Sequence, residues 1–135
     1  MNGSRRVFLL AAVILACQHP TEPWDEIDLS KAIKVEPSAQ YVGWWNELEG
    51  CSGLSGDIHT VSFYVVPNDS TIQVGSESYW GYWLKKGDRI VLAGAWAGSE
   101  KLVKHEEMHA LLQSALHPPE YFNGPCGDLT YANER

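Results

Sequence analysis

The sequence predicts an α+β domain in which a small antiparallel sheet packs against two helices. Three observations predict it. Apolar residues recur at helical spacing around residue 45 and again beyond residue 100. Between these two stretches, apolar and polar residues alternate in short runs separated by turn residues. The order helix, strands, helix, irregular tail segregates the two element types, which is the α+β arrangement. At 135 residues the chain is long enough for one domain.

The elements follow in order. Met1 to Arg6 carries Arg5 and Arg6, and Val7 to Ala16 is uninterrupted apolar. That pattern predicts a secretory signal peptide over residues 1–16, its apolar run too short to span a bilayer. Ile14-Leu15-Ala16-Cys17 resembles the cleavage box of bacterial lipoproteins. The resemblance implies cleavage before Cys17 and a lipid attached to it. The alternative is a plain signal peptide whose Cys is removed or buried. Gln18 is not the Asp that retains such proteins in the inner membrane, so the expected location is the cell envelope, at the outer membrane or in the periplasm if the cell is Gram-negative. Residues 17–36 contain Pro20, Pro23, Glu22, Asp25, Glu26 and Asp28 and read as a tether. Ile27, Leu29, Ile33 and Val35 alternatively supply one more strand.

Residues 37–135 form the expected metal-binding domain. Ser38 after Pro37 caps a first helix. Tyr41, Trp44, Trp45 and Leu48 share one face of it, and Gly50 is expected to end it. Val61, Phe63 and Val65 alternate with Thr60, Ser62 and Tyr64, a strand pattern. Pro67 to Ser70 and Lys85 to Asp88 are turns. Strands are expected near Thr71–Val74, Tyr79–Leu84 and Arg89–Trp96, the last buried around Ile90-Val91-Leu92-Ala93. Trp44, Trp45, Trp80, Trp83 and Trp96 read as core; the alternative is an aromatic cleft for peptide or glycan. Ser99 caps a second helix, with Glu100 in its first turn. Pro118 disfavours helix at His117, which predicts an end near Ala115 or Leu116.

The second helix carries His105-Glu106-Glu107-Met108-His109. Residues four apart share a helix face, so both imidazoles can reach one metal ion. Glu106 can then reach a water beside that ion, the spacing of a zinc hydrolase. Glu107 points off this face and is expected at the solvated surface. His19 and His59 have no partner spacing and read as tether and strand residues.

Through His105, Glu106 and His109 the chain resembles the zincin metallopeptidases. The resemblance implies that the two His bind zinc and that Glu106 is the general base. Metzincins continue the motif with Gly and His, but Leu112 and Ala115 stand at those positions. The third ligand is sought among His117, Glu120 and Asp128, with His117 preferred because zinc favours His and the helix must break there. Eight residues of straight helix would put His117 ~12 Å beyond His109, so the chain has to turn back. Asp128 is the runner-up, since Cys126 is able to pin it. Tyr121 is a candidate donor to the oxyanion. The implied function is zinc-dependent hydrolysis of a peptide or protein substrate. An extended peptide would pair with a sheet edge near Arg89 to Trp96. The alternative is a non-catalytic metal-binding lipoprotein acting as a protein-interaction module.

If Cys17 carries lipid, Cys51 and Cys126 remain and pair in an oxidising compartment. The net charge is −7. Without Arg5 and Arg6, eight basic side chains face seventeen acidic ones, or −9. There is no basic stripe, so nucleic-acid binding is not expected. The expected contact with the membrane is through the lipid anchor at Cys17.

Overall fold

The computed structural model describes residues 27–131; the expected signal peptide, Cys17 and the first part of the expected tether lie outside the described residues. The fold is α+β. In chain order it contains β1 (Ile33–Val35), α1 (Ala39–Ser52), β2 (Ser62–Val66), β3 (Ile72–Val74), β4 (Glu77–Tyr79), β5 (Gly81–Leu84) and β6 (Arg89–Ala93). These are followed by α2 (Glu100–Leu112), α3 (Pro119–Phe122), β7 (Asn123–Gly124) and β8 (Gly127–Asp128).

The main sheet has the order β1-β2-β6-β5. Its outer pairings are antiparallel and its central pair, β2 with β6, is parallel, with Phe63 opposite Ile90 and Val65 opposite Leu92. The interior position of β6 follows from burial. Ile90-Val91-Leu92-Ala93 has no polar face, so it needs cover on both sides. Ile90 and Leu92 pack toward the helices with Tyr41, Trp44, Trp45 and Phe63. Val91 and Ala93 pack on the opposite face with Ile72 and Leu84. β6 is therefore interior, which corrects the expectation of a peptide-binding edge at Arg89 to Trp96; the free edge on that side belongs to β5. The run from Thr71 to Leu84 divides into three strands: β3 and β4 form a separate hairpin over the second face, and β5 joins the main sheet.

The domain begins earlier than the expected residue 37. β1 pairs with β2, and Ile27, Leu29 and Ala32 pack against the second core cluster. The later part of the expected tether is thus built into the fold, as its apolar alternation allowed. Ser38 does cap α1, its Oγ accepting from the Tyr41 N–H. The helix passes Gly50 and closes at Gly53, whose φ of 74° is the left-handed geometry a C-terminal cap requires. His59 sits in a short 3-10 turn rather than a strand. A third cluster, Leu48, Met108, Phe122 and Leu129, lies beside the Cys51–Cys126 disulfide, which closes across 75 residues. No helix among the described residues is long and apolar enough to cross a membrane.

Candidate metal centre

Ser99 Oγ caps α2 by accepting from the Leu102 N–H. The helix stops at Leu112, three or four residues short of the expected end. Gln113 takes a left-handed conformation, φ 52°, and the Ser114 N–H returns to the His109 carbonyl. This early stop reverses the chain. It removes the ~12 Å separation of a straight helix and swings His117 back over His109.

The three imidazoles converge through their Nε2 atoms. His105 and His109 are 3.0 Å apart, His109 and His117 3.1 Å, and His105 and His117 3.2 Å. His105 and His109 are buried and His117 is exposed. The opposite nitrogens fix the tautomers. His105 Nδ1–H donates to the Leu129 carbonyl and His109 Nδ1–H to the Ser114 carbonyl, both at 2.8 Å. A carbonyl can only accept, so in each neutral ring Nε2 carries a lone pair. Lone pairs brought to ~3 Å repel unless a cation lies among them. A tetrahedral ion with ~2.0–2.1 Å bonds to nitrogen would set its ligands about 3.3–3.4 Å apart, a few tenths wider than observed. The donor set therefore fits a metal ion, and these three His lie close enough to bind one.

Burial tunes the same groups toward metal binding. It pushes His105 down to about 3, assisted by the neighbouring His109 charge, and His109 down to about 4. His117 is lowered by burial as well. Neutral rings are the metal-binding form.

Phe122, fully buried, floors the cluster, its ring 4.8–5.0 Å from all three imidazoles. Trp83 lies nearly parallel to His109 at 6.2 Å. Asp88 ties this side together: Oδ1 accepts from Trp83 Nε1 at 2.7 Å, and Oδ2 accepts from Gln113 Nε2 at 3.0 Å. One turn carboxylate thus holds both the ring beside His109 and the residue that stops α2.

The histidines open into a cavity of about 630 Å³ whose walls include Trp80, Gly81, Tyr82, Trp83, Glu106 and Tyr131. Glu106 is buried on that wall. Its carboxylate lies against the β5 backbone, since a Cβ at Gly81 would sit 3.0 Å from Glu106 Oε1 and 3.1 Å from Leu92 Cδ2. Glycine at 81 is what admits the acid there. Burial, followed by the Glu106 charge, raises the Tyr82 hydroxyl.

The other sequence candidates lie elsewhere. Asp128 is exposed, accepts from the Thr130 hydroxyl and backbone, and pairs with Lys101 at 3.4 Å. Its segment contributes the carbonyl of the next residue, Leu129, instead of a carboxylate. Glu120 is exposed on α3. Tyr121 packs against the third cluster near Cys126 and does not line the cavity. The tyrosines that do line it are Tyr79, Tyr82 and Tyr131, which no local pattern in the sequence singled out. Trp44, Trp45 and Trp83 are core as expected, but Trp80 is 39% exposed at the cavity wall.

Glu107 is the largest departure from the sequence reading. It is fully buried rather than solvated, and neither carboxyl oxygen has a hydrogen-bond partner. Burial raises it from the usual 4.5 to about 9, against the opposing pull of Lys104. The reason is the third dimension: α1 packs across this side of α2, with Lys104 bonded to Glu47 at 2.5 Å. Compared with known protein families, with curated proteins and with solved structures, the chain matches none of them.

Proposed function

We propose that this protein is a zinc-dependent metallopeptidase, exported by its signal peptide and held at the cell envelope by lipid on Cys17. The observation that supports it best is the meeting of three Nε2 atoms with the Glu106 carboxylate on one cavity. Three neutral imidazoles suit zinc, and three protein ligands are the number a catalytic zinc takes. When bound, the ion supplies Lewis acidity and lowers the pKa of a water toward ~7. Glu106 accepts the proton of the attacking water and returns it to the leaving amine. Tyr82 lines the same cavity, and its raised pKa keeps the hydroxyl protonated and able to donate to the oxyanion. A peptide enters extended along the free edge of β5.

The test is Glu106→Gln. We expect about one zinc per chain in both wild type and variant, with hydrolysis of an unfolded protein lost only in the variant. Equal cleavage by the two would refute the role of Glu106. Zinc binding without cleavage by either would favour the metal-binding interaction module. Retention of Cys17→Ser in the membrane fraction would refute the lipid anchor.

A further inference from the structure

Trp80 is one of the exposed large hydrophobic residues, yet its ring is held. It stacks on Trp96 at 4.5 Å and 23°, and Trp96 Nε1 is anchored on the Ser70 carbonyl at 3.0 Å. Tyr131 meets Trp80 edge-on at 5.5 Å and meets His105 at 5.7 Å. Lys101 Nζ lies 4.8 Å from the Tyr131 ring centroid, a cation–π contact. An exposed indole fixed by its neighbours loses little entropy when it is covered. Among the described residues that line the cavity none is Lys or Arg, and the only carboxylate is Glu106.

We infer that Trp80, backed by Trp96 and walled by Tyr131, is a subsite for an aromatic side chain of the peptide substrate. This rests on the peptidase reading for the substrate's class. The two ring contacts place Trp80 within about 11 Å of His105. Extended chain advances ~3.3 Å per residue, so the aromatic residue lies within about three residues of the cleaved bond. No Lys or Arg lines these walls to pair with an acidic side chain. The ring gains both the burial of a large apolar group and the geometry of an aromatic pair.

The experiment measures binding, which separates the subsite from catalysis. Acetyl-Ala-Ala-Phe-Ala-Ala-amide and its all-Ala counterpart are titrated by calorimetry into zinc-loaded Glu106→Gln protein. We expect the Phe peptide to bind at least ~10-fold more tightly. Adding Trp80→Ala should bring the two peptides within ~2-fold of each other, and adding Trp80→Phe should restore most of the preference. Zinc content and circular dichroism confirm that each variant is folded. Equal binding of the two peptides, no binding of either, or a preference that survives Trp80→Ala overturns the subsite. Tighter binding of chitotriose than of the Phe peptide overturns it in favour of a glycan. If the Phe preference is found while wild type cleaves nothing, the subsite stands and only the hydrolytic reading fails.

Discussion

Replacing Glu107 with Gln should stabilise the protein, by an amount that grows with pH. The carboxyl is fully buried without a partner, and burial raises it from 4.5 to about 9. Below pH 4.5 both the folded and the unfolded chain carry it protonated, and its favourable contribution is fully present. Between 4.5 and about 9 the unfolded chain releases the proton while the folded chain keeps it. Stability then falls by about 1.4 kcal/mol per pH unit. At pH 7 the accumulated cost is about 3 kcal/mol, a large part of the 5–15 kcal/mol that a domain typically has. Gln has the same shape and does not ionise. Urea unfolding of both proteins at pH 5, 6, 7 and 8, with chelator throughout, measures the difference. His105 and His109 titrate alike in the two proteins and cancel. The gap should widen by ~3–4 kcal/mol from pH 5 to pH 8. Parallel pH profiles would refute the reasoning and mean that the carboxyl is solvated or paired with a cation.

Three further outcomes are expected. His117→Ala should weaken zinc binding by more than ~10-fold, the scale at which even supporting residues act, while Asp128→Ala and Glu120→Ala should leave it within ~2-fold. Competition titration with a chromophoric chelator decides between them. Because His105 lies at about 3 and His109 at about 4 in the folded protein, protons should not compete for them at pH 5.5. Zinc affinity corrected for buffer should fall less than ~10-fold from pH 7.5 to 5.5, against ~10-fold for each ring titrating at the usual 6.5. The same depressed values mean that the metal-free fold loses stability as pH falls from 6.5 through about 4 for His109 and about 3 for His105. The Cys51→Ser, Cys126→Ser double variant should lose up to about 4 kcal/mol in thermal or urea unfolding, given the 75-residue separation. It should also bind zinc more weakly, because Leu129 follows Cys126 and its carbonyl orients His105.

The sequence by itself determined what local spacing controls. Ser38 and Ser99 cap their helices, the 61–65 alternation makes β2, the four-residue period brings His105 and His109 together, and two cysteines pair. His117 was legible as a preference, since a helix broken before Pro118 has to reverse; the left-handed Gln113 that reverses it carries no such signature. Only the tertiary structure decided which sides of these elements face water. Glu107 and Glu106 are neighbours of the same kind, but one lies beneath α1 and the other opens onto the cavity. Tyr82, Trp80 and Tyr131 line one cavity with the histidines because β5 packs on α2 and the segment from Leu129 to Tyr131 lies against His105, a juxtaposition of residues far apart in the chain. Periodicity reports a residue's direction about its own helix or strand; what lies in that direction depends on how separate elements pack.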